Sequence, residues 1–262
     1  MGEILAELKY YSDRRFTTLS GTLVYFLLMS VTPFLFLVAL FVGNVDLSGI
    51  LSVELFSAVQ PVIEYLQQSA NNASVGSGII LAITSLWSST NFFFHLRRSG
   101  EIIFSPEVRV GGLKLRLFSL FAVLFGIILI SIITAIPFIG KNVLENIMPQ
   151  HLAEAIMIVF ISISAYYTSY FLNVFACPVK LKYEEASGGA LLTLILWILF
   201  AVGFSIYLRF ANIQRLYGAV TAVVVFLLWC YLMVNSLVLG LIYNAKYVKR
   251  LHKTQTALFS VK

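Results

Sequence analysis

Charge is what this sequence has least of. Only 11% of its 262 residues are Asp, Glu, Lys or Arg, while 60% are hydrophobic. A soluble globular chain carries about 25% charged residues, so this one lacks the polar surface to cover itself in water. Its mean hydropathy of +0.92 agrees. Cysteine is nearly absent too. Cys177 and Cys230 have no near neighbour of their own kind, which leaves neither a disulfide framework nor a metal-spaced pair. His95, at the end of the second apolar run, and His151 and His252, outside the runs, are scattered along the chain, and no Gly-rich phosphate loop is present. A soluble nuclease or metallohydrolase needs a convergent set of such side chains. The sequence therefore predicts no catalytic residue, no metal and no cofactor. It also predicts no signal peptide, because the first apolar run is too long for one, lacks a small-residue cleavage site and follows a charged segment.

What the chain has instead is long apolar runs. A helix crossing the hydrocarbon needs about 20 such residues, and six stretches qualify: 19–42, 77–96, 117–139, 152–176, 186–208 and 217–243. In lipid the backbone must satisfy its own polar groups, which selects helices. A β-barrel would show short alternating strands, and these runs are continuous. The expected fold is an all-α bundle of six transmembrane helices, residues 1–253 forming one membrane domain and 254–262 a short tail.

Every Lys and Arg lies outside those runs. Fifteen fall in the N-terminal segment, the second and fourth connections and the C-terminal tail; three, Lys141, Arg209 and Arg215, fall in the others. The positive-inside rule puts both termini in the cytoplasm. It also accounts for the net charge of +6 without a nucleic-acid partner; the partner implied is the bilayer. The first connection, 43–76, holds no Lys or Arg. Within it Leu51, Leu55, Val59, Val62, Ile63 and Leu66 recur at helical spacing, as in an amphipathic helix lying in the outer interface, with Pro61 bending or breaking it. Such a helix either caps the bundle or forms a lid. The segment 106–117 is its cytoplasmic counterpart, with Arg109, Lys114 and Arg116 toward lipid headgroups.

Ionisable groups within the membrane are the usual sign of ion or proton work. Glu154 is the one carboxylate inside a run, near its outer end, and His95 lies at the inner end of the second, beside Arg97 and Arg98, so a pump with a buried carboxylate finds no support. The polar content is uncharged and patterned. The second helix carries Gly78, Ala82, Ser85 and Ser89 on one face, with Ser88, Thr90 and Asn91 nearby. The fourth carries Ser162, Tyr166, Ser169 and Asn173; the sixth carries Asn235, Ser236, Gly240 and Asn244. Two readings compete. These faces are interhelical glue, as small and hydroxyl residues commonly are, or the three helices surround a polar cavity lined by Ser85, Ser89, Asn91, Ser162, Tyr166, Ser169, Asn173, Asn235 and Ser236. In the first helix Pro33 follows Ser30 and Thr32 and is expected to kink it, as a structural bend or as a hinge.

Tyr25, Leu28, Ser30 and Pro33, then Trp87, Ser88, Ser89 and Asn91, and then Pro178, Gly188 to Ala190, Phe204, Tyr207, Tyr217, Gly218, Trp229 and Gly240 follow one another in an order that resembles the YihY/BrkB family of bacterial inner-membrane proteins. The resemblance covers most of the chain, from Leu19 to Tyr247. Many members follow the last Gly with Ala-Glu. Here Ile242 stands where the acid would be, so no role of that carboxylate transfers. The family has been labelled ribonuclease BN, a label widely regarded as an error; one branch is associated with resistance to serum killing. The resemblance implies a transporter-like or envelope-maintenance role; the scarcity of charge within the runs leaves a passive pathway or a transporter of a lipid-like or small neutral substrate. The rivals are a non-transporting membrane scaffold and, further off, a ribonuclease.

Overall fold

The computed structural model describes residues 16–42, 75–106, 110–147, 149–210 and 219–259. Among them there is no strand. Six long helices follow in order: α1 (Phe16–Val42), α2 (Val75–Phe104), α3 (Gly112–Ile147), α4 (Gln150–Ala176), α5 (Tyr183–Phe210) and α6 (Ala219–Phe259). They coincide with the six apolar runs and overrun several. At about 1.5 Å per residue, all six exceed the roughly 30 Å of hydrocarbon, α3 with 36 residues and α6 with 41 by the most. The apolar run stops at the first charge, whereas the helix continues through good helix formers such as Arg97, Arg98 and Glu101 in α2. In α6 it continues to Phe259, through most of the segment expected to be a short tail. The amphipathic helix expected within 43–76 lies, up to residue 74, outside the described residues. Pro33 lies inside α1, with helix on both sides of it, and withholds the N–H that would reach the Met29 carbonyl.

The polarity of the fold is inverted relative to a soluble protein. Ile80, Ile83, Phe121, Ile158 and Leu199 are each more than half exposed, while Ser169, Asn173, Thr193, Ser236 and Asn244 are fully buried. Side chains so disposed are stable only where the surrounding solvent is hydrocarbon and polar groups find partners within the bundle. Among the described residues four helices contain stretches long and apolar enough to cross a membrane: Gly112–Leu129, His151–Ala176, Tyr183–Tyr207 and Val224–Lys249. The described part of α1 adds the shorter apolar stretch Phe16–Val31. The chain is an all-α, multi-pass membrane protein.

The apolar core runs between α1, α2, α3 and α6, with Leu23, Leu96, Val123, Val238, Leu241 and Ile242 at its centre. Ile242 is fully buried there. Two helix pairs approach closely. In the first, Ser30 of α1 accepts from the Phe92 N–H (3.1 Å) and donates to the Ser88 carbonyl (3.3 Å) of α2. Those are the two ends of one helical rung, so α1 is latched onto the backbone ladder of α2. In the second, α5 and α6 meet at Gly189 and Gly240. A Cβ on Gly240 would strike the Thr193 hydroxyl and the Gly189 carbonyl; one on Gly189 would strike the Gly240 carbonyl and the Asn244 amide. Only glycine admits this approach, which is the physical content of small residues at a membrane helix crossing.

Candidate functional site

The uncharged polar groups gather first at the α5–α6 crossing, where α4 joins it. Asn244 Nδ2 donates to Asn173 Oδ1 (3.2 Å), and Asn244 Oδ1 accepts from the Gly189 N–H (2.7 Å). Asn173 Nδ2 donates to the Ser169 carbonyl (3.0 Å) and lies 3.4 Å from Thr193 Oγ1. Thr193 donates to the Gly189 carbonyl (2.8 Å), and Ser169 donates to the Ala190 carbonyl (2.8 Å) across to α5. Fully buried and mutually bonded, these groups form a lock that fixes three helices in register. An unpaired amide in hydrocarbon costs several kcal/mol, about 4–8 on water-to-alkane scales. The network removes that cost.

A second polar region lies where α2 passes the C-terminal end of α4. Gly100 packs so tightly there that a Cβ would strike the Ala176 carbonyl. Arg97 donates to the Phe175 carbonyl (2.8 Å) and to the Cys177 carbonyl, covering two carbonyl acceptors that the end of α4 leaves open. Glu101, 2% exposed, is bonded to Arg98 at 2.5 Å. Its other oxygen, Oε1, has no partner among the described residues. His95 stacks on Phe26, ring centroids 3.3 Å apart. From α3, Arg116 donates to Thr90 Oγ1 (2.9 Å) and Asn91 Oδ1 (2.7 Å). Burial pushes the Cys177 thiol up to about 12, so at neutral pH it is a small apolar group and not a thiolate.

Between α1, α2, α3 and α4 lies a partly open cavity of about 260 Å³. Its wall is made mainly by Leu27, Val31, Phe92, Phe93, Leu129 and Phe171. Gly126 on α3 leaves the space that a larger residue would fill. The three hydroxyls in the wall are already engaged. Ser30 is latched to α2 as described, Ser89 donates to the Ser85 carbonyl (2.8 Å), and Thr168 donates to the Ser164 carbonyl (2.8 Å). The cavity therefore presents hydrocarbon and aromatic surface. Its size is just below the roughly 300–1,000 Å³ of pockets for drug-sized ligands, enough for a short apolar molecule or part of an acyl chain.

The nine residues expected to line a polar cavity are not brought together in one place. Ser169 and Asn173 enter the lock. Ser236 is buried beside it, its hydroxyl on the Leu232 carbonyl (2.8 Å) and its own carbonyl 3.4 Å from Thr193. Asn235 is nearly buried, and its Oδ1 has no partner among the described residues. Ser85 is buried in α2, and Ser89 is the one of the nine that lines the cavity. Asn91 serves Arg116. Tyr166 is half-buried and shares a hydrogen bond with Tyr183 (3.1 Å). Ser162 corrects the expectation outright, since it is exposed. The reason is local. Its hydroxyl returns to the Ile158 carbonyl one turn back (2.8 Å), so it needs no neighbouring helix to be satisfied. Thr193 and the aromatic cavity wall were not singled out from sequence, and Arg116 was placed at the headgroups without its partners Thr90 and Asn91. Gly189 and Thr193, four apart on α5, were the available signal for the first; apolar wall residues carry none.

Comparison with known proteins agrees with the fold. The chain is 25% identical over 252 residues to a Bacillus subtilis (strain 168) protein named ribonuclease-like protein YfkH, covering 88% of this chain and 90% of that one. No solved structure matches. The sequence model of the family described as virulence factor BrkB matches residues 8–259, nearly the whole chain, and the protein belongs to that family.

Proposed function

We propose that this is a six-span protein of the bacterial inner membrane, with both termini cytoplasmic, that takes up a lipid-like apolar ligand in the α1–α4 cavity and acts as a transporter of such molecules. The observation that carries the reading is the cavity itself: partly open, apolar, and with its wall hydroxyls already engaged. A ligand entering it need not compete for hydrogen bonds and is held by van der Waals packing against the aromatic and aliphatic wall. The fifteen-to-three division of Lys and Arg supports the orientation. It places the Arg97 end of the bundle in the cytoplasm. Reporter fusions at residue 253 and between 97 and 114 are expected to read as cytoplasmic and a fusion within 44–72 as external; an external C-terminus contradicts the orientation.

The cavity is tested with a long-chain fatty acid carrying a photoactivatable group, cross-linked to the reconstituted protein and mapped by peptide mass spectrometry. Label is expected on the segments holding Phe92, Phe93 and Phe171. Gly126→Leu fills the space and is expected to lower that label several-fold while label on the outer faces stays constant. Equal labelling of wild type and variant overturns the reading.

A non-transporting scaffold is the second reading, and the α4–α5–α6 lock favours it, because a fully bonded network holds helices together and offers nothing to a ligand. The ribonuclease-like name of the relative is not carried into the proposal. His95 lies near the Arg97 end, whereas His151 is exposed in the first turn of α4, on the order of 30 Å away at 1.5 Å per helical residue. The two cannot converge on one phosphodiester. RNA cleavage by protein purified from a host lacking contaminating nucleases would contradict this.

A further inference from the structure

On the face of α2 turned away from the cavity, Ile80, Ile83, Trp87, Asn91 and Phe94 recur every three or four residues and form one stripe. Ile80, Ile83 and Trp87 are 66%, 63% and 58% exposed. The stripe ends at Arg116. Both hydrogens of Arg116 Nη1 are engaged, by Thr90 and Asn91. Its guanidinium carbon lies 4.4 Å from the Phe94 ring centroid and 5.4 Å from that of Trp87. The group is thus held from behind by two neutral acceptors and flanked by two aromatic rings. Neither acceptor neutralises its charge, and Glu101, the carboxylate on this end of α2, is bonded to Arg98. Among the described residues the Nε–H and both hydrogens of Nη2 have no acceptor. That free edge is the fork that binds a phosphate through two parallel hydrogen bonds. Lys114, exposed two residues earlier, adds a second cation.

We infer that the α2–α3 face is a binding site for an anionic phospholipid. Its phosphate is held on the Nε/Nη2 edge of Arg116 near Lys114, and one acyl chain lies along Trp87, Ile83 and Ile80. Charge complementarity and the exposed apolar stripe running on from the cation select a lipid over a soluble anion, since a free phosphate has nothing to place on the stripe. The site does not depend on the cavity, which Ser89, Phe92 and Phe93 line from the other side of the same helix.

Trp87 makes a direct test possible. In a protein carrying Trp197→Phe and Trp229→Phe, Trp87 is the remaining tryptophan and reports lipids on the stripe. The protein is reconstituted in phosphatidylcholine vesicles with increasing brominated phosphatidylglycerol, or with brominated phosphatidylcholine as the neutral probe. The anionic probe is expected to reach half-maximal quenching at about five-fold lower mole fraction, the factor expected of one cation at the membrane surface. Arg116→Gln is expected to erase the difference. Arg116→Lys, which keeps the charge and loses the fork, is expected to fall between. Equal quenching by the two probes in the wild-type background overturns the proposal, and that comparison holds even if Arg116→Gln fails to fold. Inorganic phosphate at millimolar concentration is expected to leave the quenching unchanged; displacement of the lipid by it would show a simple anion site and also overturn the proposal.

Discussion

Gly240→Val is expected to leave no stably folded protein. The first atom of any side chain at this position points at the Thr193 hydroxyl, the Gly189 carbonyl and, at 3.2 Å, Asn173 Oδ1. None of these is the free end of a flexible chain. Two belong to side chains bonded into the lock, and the third is backbone. Relief requires α5 and α6 to separate, which opens the contacts between Asn244 and Gly189 and between Thr193 and Ser236. Overpacking alone costs about 1–3 kcal/mol and occasionally more; buried groups left unpaired add about 1–3 kcal/mol each. Together these are a large part of the 5–15 kcal/mol by which a typical domain is stable. The measurement is the monodisperse fraction after purification in detergent, expected to collapse for Gly240→Val and to fall for Gly240→Ala. Gly203→Ala is the control. Nothing lies within 4 Å of a Cβ there, so it is expected to behave as wild type, apart from a small gain from helix propensity. A well-behaved Gly240→Val protein would mean that α5 and α6 do not cross at this point.

Asn244→Leu carries the second large effect. The substitution nearly keeps volume and removes the amide, taking the side-chain acceptor from the Gly189 N–H and the donor from Asn173 Oδ1 in a fully buried site. Interhelical hydrogen bonds in membranes average only about 0.6 kcal/mol. Loss of the bonds is therefore the smaller effect, and desolvation of the abandoned partners, about 1–3 kcal/mol each, is the larger. This ordering has a consequence that a simple sum lacks. Asn173→Leu/Asn244→Leu removes both amides, leaves fewer orphans than the two single changes together, and is expected to cost clearly less than their sum. Unfolding in graded SDS measures all three variants. Additive losses would show that the two asparagines are not partners.

How much of this could be read from the residues follows from which forces are local. The helices were legible because membrane crossing imposes a length and an apolarity that the sequence states outright. Their true ends were not, since Arg97, Arg98 and Glu101 stop an apolar run without stopping a helix. Asn173 and Asn244 stood out by helical spacing, but that they meet each other, over Gly189, is a tertiary fact. The expectation that Ser162 lines a polar interior failed because a serine in a helix can bond its own preceding turn; Asn173 does turn inward, since its amide also needs partners beyond its own turn. Arg116 was placed at the headgroups by its position, and its clamp on Thr90 and Asn91 was invisible because the two segments are 25 residues apart. The cavity could not have been read at all. Leu27, Phe92 and Phe171 look like any lipid-facing residues, and only the packing of four helices leaves a gap among them.

The central claim is that this gap is a ligand site. The most direct measurement is an experimental structure of the full chain in lipid nanodiscs, inspected among α1, α2, α3 and α4. The account predicts elongated, non-protein density between Phe92, Phe93 and Phe171, absent in Gly126→Leu. Side chains closed over the space, with the four helices in contact and no room for a ligand, would contradict it.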